Sequence, residues 1–154
     1  MKGDAQVIEA LNGLLTDELT AIMQYTVHAE MCDNWHYQRL HDAIEARARA
    51  EMKHAARLVS RILFLEGAPE VQILNAVRIG PAVPALMIND REAEVIAHRG
   101  YNAAIELCVA LKDNVSRALC ESNLCDEEDH LDWIEGQLAQ IEQAGIQNYL
   151  AVQL

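Results

Sequence analysis

Glycine and proline are scarce, 7 and 3 in 154 residues, and no low-complexity tract interrupts the chain. With hydrophobic residues at 51%, this composition excludes a disordered or fibrous protein and predicts one domain over residues 1–154 with a substantial core. No apolar run is long enough to span a bilayer as a helix. The opening Met1-Lys2-Gly3-Asp4 has none of the apolar stretch of a secretory signal, so a cytoplasmic protein is expected. Basic residues are outnumbered, 12 Lys and Arg against 24 Asp and Glu, a net charge of −12. That balance argues against nonspecific binding to DNA or anionic lipid and favours the attraction of cations. The four cysteines, Cys32, Cys108, Cys120 and Cys125, have neither the paired spacing of a zinc site nor the density of a disulfide framework. They read as reduced, small core residues. Cys125 lies two residues before Glu127, on the wrong helix face to share a ligand site with it.

What is present is helical periodicity. Strand-type alternation is absent, and apolar residues recur at helix spacing almost throughout. The spacing predicts a first helix from an Asp4 cap to about Asp33, with Leu11, Leu15, Glu18, Ile22, Tyr25 and Ala29 along one stripe. A second runs from about Tyr37 to Glu66, aligning Ile44, Glu51, His54, Leu58, Ile62 and Leu65, and stops at Gly67 and Pro69. A third runs from Val83 or Pro84 to Leu111 and presents Leu86, Asp90, Glu94, Ala97, Tyr101, Ile105 and Cys108. A fourth, from about Val115 to Ala144, presents Cys120, Glu127, His130, Ile134, Leu138 and Ile141; Gly145 breaks it before a short fifth helix. Short links make the first and second pairs of helices antiparallel hairpins. Residues 67 to 82 form the one long connection, and sixteen residues can extend roughly 50 Å, enough to travel the length of the bundle.

Two Glu-x-x-His motifs stand in these helices, Glu51-Met52-Lys53-His54 and Glu127-Glu128-Asp129-His130. Each has a lone glutamate 33 residues upstream, Glu18 and Glu94, so all six positions repeat at an offset of 76. The same offset pairs Tyr25 with Tyr101, which predicts two related hairpins facing each other across a pseudo-twofold axis. Residues at i and i+3 share a helix face, so each motif aims one carboxylate and one imidazole at the same point. A solvated helix face explains any single glutamate, but not four on the apolar stripes of four helices, where unpaired charge is costly. Four Glu and two His suit a pair of iron or manganese ions. The pattern is similar to that of ferritin-like di-metal carboxylate bundles.

Other residues carry weaker signals. His28, His36, His41 and His98 lack partners at ligand spacing and read as surface or packing residues. Tyr25 and Tyr101, one heptad beyond Glu18 and Glu94, and Trp133, three past His130, read as packing near the site with occasional redox use. Met52 adjoins Glu51 but is turned about 100° from it, away from the bundle centre. Packing, in the core or at a subunit interface, is its ordinary role.

Over nearly its whole length the chain resembles the bacterioferritins. The likeness is carried by Met1-Lys2-Gly3-Asp4, Glu51-Met52-Lys53-His54-Ala55, Arg61 to Gly67, Asp126 to Trp133 and Gly145 to Leu150. It implies an all-α, ferritin-like antiparallel four-helix bundle with one long crossover and a short fifth helix, assembled from twofold dimers into a shell of 24 subunits. By resemblance Glu18, Glu51, His54, Glu94, Glu127 and His130 are the catalytic and metal-binding residues of a ferroxidase holding two iron ions per subunit, with Glu51 and Glu127 as bridges. Fe²⁺ would be oxidised with O₂ or H₂O₂ and ferric mineral stored in the shell. Met52 falls where the family ligates haem b between two subunits, and a small ferredoxin-type reductase would be the partner for iron release. Ala46 and Ala50, with Arg47 and Arg49 beside them, occupy the places of an inner-surface iron site found in some members, so that site is not expected here. A di-iron or di-manganese peroxidase or catalase of the same fold is the competing expectation; the lack of a CxxC pair removes its rubrerythrin version.

Overall fold

The computed structural model describes all 154 residues and contains five helices. They are α1 (Ala5–Asn34), α2 (Gln38–Phe64), α3 (Val83–Ala110), α4 (Asn114–Ala144) and α5 (Ile146–Ala151). Asp4 caps α1 by accepting from the Gln6 N–H at 2.8 Å, and Asp113 caps α4 by accepting from the Ser116 N–H at 3.0 Å. Pro84 sits in the first turn of α3, where no intrahelical N–H is required.

The helix ends differ from expectation in one instructive way. α2 ends at Phe64, and the left-handed residue that terminates it is Glu66 (φ 62°), not Gly67. The Gly67 N–H then returns to the Ile62 carbonyl at 2.9 Å, closing the orphaned end of the helix. His36 (φ 65°) and Lys112 (φ 60°) end α1 and α3 in the same manner, with Tyr37 bonding back to Cys32 and Asp113 to Cys108. Gly67 is needed for space instead: a Cβ there would lie 2.7 Å from Ile8 Cγ2 and 3.0 Å from Ile62 Cγ2.

α1 packs on α2, α3 packs on α4, and α1 also packs on α3. The connection between α2 and α3 has no regular structure of its own. Its polar backbone is satisfied by α1 side chains, one after another along that helix. Asn12 donates to the Ala68 carbonyl (3.1 Å) and accepts from the Glu70 N–H (2.8 Å). Thr20 accepts from the Asn75 N–H (2.9 Å), Gln24 from the Arg78 N–H (3.0 Å) and His28 Nε2 from the Gly80 N–H (3.1 Å). The crossover therefore runs parallel to α1, which makes α3 antiparallel to α1 and parallel to α2.

The core divides into two apolar clusters. One contains Val7, Leu11, Leu15, Leu58, Ile62, Tyr101, Cys108 and Cys120. The other contains Tyr25, Ala29, Leu40, Ile44, Leu86, Met87 and Tyr149. Glu18, Glu51 and Glu94 fall between these clusters along α1, α2 and α3, so a polar layer crosses the middle of an otherwise apolar bundle. All four cysteines are free; Cys32, Cys108 and Cys120 are buried and Cys125 is exposed. No helix is long and apolar enough to cross a membrane.

Candidate metal centre

Four helices each deliver one carboxylate to the polar layer. Glu18, Glu51, Glu94 and Glu127 are all at least 97% buried, so none is a solvated surface charge. His54 follows Glu51 on α2, and His130 follows Glu127 on α4, each by one turn. His54 Nδ1 lies 3.0 Å from Glu51 Oε2, 3.0 Å from Glu127 Oε1 and 3.4 Å from Glu18 Oε1. His130 Nδ1 lies 2.9 Å from Glu51 Oε1, 3.6 Å from Glu94 Oε2 and 3.8 Å from Glu127 Oε2. Glu51 and Glu127 thus turn one oxygen toward each histidine, while Glu18 serves only His54 and Glu94 only His130.

The result is two overlapping donor groups. Glu18, Glu51, His54 and Glu127 form one, and Glu51, Glu94, Glu127 and His130 the other; within each, the ligand atoms lie within 4.8 Å of one another. Both oxygens of Glu51, Glu127 Oε1 and the Nδ1 atoms of both histidines are buried without a hydrogen-bond partner. Buried polar atoms are otherwise nearly always paired. A hard or borderline divalent cation in each group matches this mixture of carboxylate and imidazole donors and satisfies those atoms together.

The crowding of charge is visible in the ionisation of the same side chains. Burial, then the neighbouring charges of Glu51 and Glu127, hold Glu18 well above the usual carboxylate range. Burial likewise pushes Glu127 up to about 7. For Glu94 the burial effect is overcome by His130 and Arg47, and its pKa is lowered. Burial opposes protonation of His130, but contacts with Glu127, Glu51 and Glu94 raise it to about 11; His54 is raised by the same kind of surroundings.

Outer contacts aim the donors. Asp126 Oδ2 lies 2.9 Å from His54 Nε2; a carboxylate there can only accept, so Nε2 carries the hydrogen and Nδ1 is left facing the cluster. Tyr25 on α1 donates to Glu94 Oε1 at 2.7 Å, and Tyr101 on α3 donates to Glu18 Oε1. Burial and the adjacent carboxylates raise both phenols above their ordinary range. Asn123 donates to the Tyr101 hydroxyl at 2.9 Å, and Arg57 donates to Asn123 at 2.9 Å.

The ferritin-like domain family model matches residues 8–144. The chain is 42% identical over 151 residues to a bacterioferritin of Streptomyces coelicolor, covering 98% of this chain and 90% of that one. It is 38% identical over 149 residues to a bacterioferritin of Brucella melitensis, covering 97% and 92%. A bacterial ferritin of Pseudomonas aeruginosa is 37% identical over 155 residues, covering all of both.

The chain belongs to the bacterioferritin family.

In this bacterioferritin chain the six residues expected from spacing lie side by side in the polar layer, with His130 the most open at 12% exposure. Met52 is not among them: it is 56% exposed, on the outer side of α2. His28, expected to pack or lie at the surface, is buried against Asp90 at 2.8 Å. Arg47 is the residue that sequence reading missed. Grouped with Arg49 beside Ala46 and Ala50, it instead turns inward and is only 6% exposed, whereas Arg49 is exposed. Its NH2 donates to Glu94 Oε1 at 2.7 Å, and its guanidinium lies 4.5 Å from the Tyr25 ring centre and 5.4 Å from that of Trp133. The available signal was its place four residues before Glu51, one turn back on the same stripe.

Proposed function

We propose that this bacterioferritin stores iron by oxidising Fe²⁺ at the centre formed by Glu18, Glu51, His54, Glu94, Glu127 and His130. The observation that carries the reading is the pair of shared carboxylates, Glu51 and Glu127, each facing both histidines while unpaired Nδ1 atoms converge on the same space. Fe²⁺ is the substrate and four are consumed for each O₂: 4 Fe²⁺ + O₂ + 4 H⁺ gives 4 Fe³⁺ + 2 H₂O. H₂O₂ is the other oxidant of the same chemistry. The four carboxylates lower the energy of the more highly charged product ion, which favours oxidation, and the histidines fix the donor geometry from one side. Tyr25 keeps Glu94 Oε1 occupied, so that carboxylate turns Oε2 toward His130, whereas Glu18 Oε1 both accepts from Tyr101 and faces His54 at 3.4 Å. His130, the most open of the six at 12% exposure, marks the way in and out.

Family membership supports a homo-oligomeric iron-storage assembly, and we extend it to a shell of 24 subunits built from twofold dimers, with the oxidised iron kept inside. Met52 is proposed as the ligand of a haem b shared by two subunits. Its exposed thioether on α2, with Met23 and Val27 also exposed on the adjoining α1, supports an outward apolar face suited to a group held between two copies. Held there, haem would supply one-electron chemistry for reducing stored iron, with a ferredoxin-type protein as donor.

The test is aerobic Fe²⁺ addition followed by ferric absorbance and retained iron. Wild type should show rapid oxidation and keep the iron in a cage-sized particle; Glu94→Ala and His130→Ala should assemble but lose the rapid phase. Unchanged kinetics in both variants, or H₂O₂ disproportionation with no net iron uptake, would sink the proposal.

A further inference from the structure

The internal symmetry of the bundle is broken beside the centre, at one pair of buried residues. The offset of 76 that relates Glu18 to Glu94, Tyr25 to Tyr101 and His54 to His130 also relates Arg47 to Asn123. The fold treats these two as counterparts. On one side Tyr25 and Arg47 both donate to Glu94 Oε1, each at 2.7 Å. On the other, Tyr101 donates to Glu18 and Asn123 supports the Tyr101 hydroxyl at 2.9 Å. Arg47 and Asn123 are both buried. One terminal carboxylate is therefore held by a guanidinium and the other by a phenol and a neutral amide.

Nearby charges do not restore the balance. Arg57 reaches the Glu18 side only through Asn123 and Tyr101, is half exposed, and lies 3.7 Å from Asp126. Asp90 Oδ2, 3.8 Å from Arg47 NH1, offsets part of the guanidinium charge, but from farther away than the 2.7 Å at which Arg47 NH2 meets Glu94 Oε1; Asp90 Oδ1 is engaged by Gln24 at 2.9 Å and by His28 at 2.8 Å. Arg47 is left as a buried cation in direct contact with a ligand oxygen. It occupies Glu94 Oε1, so only Oε2 faces His130, and it repels a divalent ion beside that carboxylate through a medium that screens poorly. The Glu94–His130 side is also the more open, with His130 at 12% exposure against 1% for His54.

We infer that the two halves of the centre fill in a fixed order: the Glu18–His54 half takes the first divalent ion, and Arg47 keeps the Glu94–His130 half weak, so that the second ion is the one that exchanges. The inference rests on the di-metal reading above. It makes Arg47 a positioning and affinity-setting residue, and it gives the paired site one retained and one transferable ion.

Anaerobic Co²⁺ titration of the assembled protein, read by visible absorbance and calorimetry, tests this without any turnover. Wild type should bind in two steps, the second weaker by about tenfold or more. Glu94→Gln should spare the tight step and erode the weak one, whereas Glu18→Gln should erode the tight step. Arg47→Gln should strengthen the weak step by about tenfold with little effect on the tight one, and Arg47→Lys should behave as wild type. Equal damage to the first step by Glu18→Gln and Glu94→Gln overturns the inference, and that comparison stands even where Arg47→Gln does not fold. So does a weak step unmoved in a folded Arg47→Gln protein. A wild type that binds no Co²⁺ would overturn the metal-centre reading itself, which is a different result from two ions binding in no preferred order.

Discussion

Glu51 on α2 reaches His130 on α4 at 2.9 Å through Oε1, and its own helix neighbour His54 at 3.0 Å through Oε2. One side chain therefore ties the two hairpins together at the centre. Glu51→Ala removes a donor from both groups, while Glu18→Ala or Glu94→Ala removes one from a single group. Glu51→Ala should abolish binding of both Co²⁺ ions and lose more Fe²⁺ oxidation rate than the about 10–100-fold expected for an outer-contact variant. Retention of two ions per subunit by calorimetry would contradict the shared role.

Asp126 touches no ion in this scheme; it holds His54 through Nε2 at 2.9 Å. Asp126→Ala frees the imidazole to rotate and should lower affinity or oxidation rate by about 10–100-fold while leaving the stoichiometry at two. Stoichiometry and affinity come from the same titration.

The pH dependence has a defined sign. His130 is raised to about 11 in the folded chain, so its favourable contacts are fully present below its unfolded value and are lost as pH rises through the folded one. Glu127 is raised to about 7, an acid destabilised by burial, so the cost of ionising it grows as pH rises from its ordinary value toward 7. Both effects make the metal-free protein less stable as pH rises through neutrality, whereas a cation that replaces protons binds more tightly there. The increase in Tm on adding Mn²⁺ should therefore be larger at pH 8 than at pH 6. Glu127→Gln should raise the metal-free Tm at pH 8 and shrink that increase, and equal increments at both pH values would refute the linkage.

The crossover depends on α1 side chains for its polar backbone. Thr20→Val removes the acceptor of the Asn75 N–H at nearly constant volume and should cost about 1–3 kcal/mol. Proteolysis within residues 68–80 should accelerate with it. Leu58→Ala, fully buried in one apolar cluster, should cost more, about 2–5 kcal/mol, without accelerating cleavage of that segment.

Met52 is separable from all of these. Because it is exposed and away from the six donors, Met52→Ala should remove the haem absorbance band while rapid Fe²⁺ oxidation persists. Simultaneous loss of both would mean that the two sites are coupled.

The sequence by itself determined the helices and their donors. A period of 3.6 residues puts Leu11, Leu15 and Glu18 on one stripe whatever packs against it, and i, i+3 spacing makes Glu51 and His54 neighbours within a single helix. Capping chemistry located Asp4, and the helix ends moved by no more than two residues between expectation and structure. Tertiary structure decided what lies between helices. Arg47 is an ordinary polar residue until Glu94 on α3 and Tyr25 on α1 surround it, and Asn12, Thr20 and Gln24 are surface residues until an irregular connection needs their oxygen atoms. The hydrogen-bond partners among these sit 47 to 58 residues away in the chain, and Tyr25 sits 22 from Arg47, so no local period encodes them. Only the rotation of each helix about its axis, set by packing the whole core at once, chooses which long side chain turns inward and which carboxylate oxygen faces which imidazole.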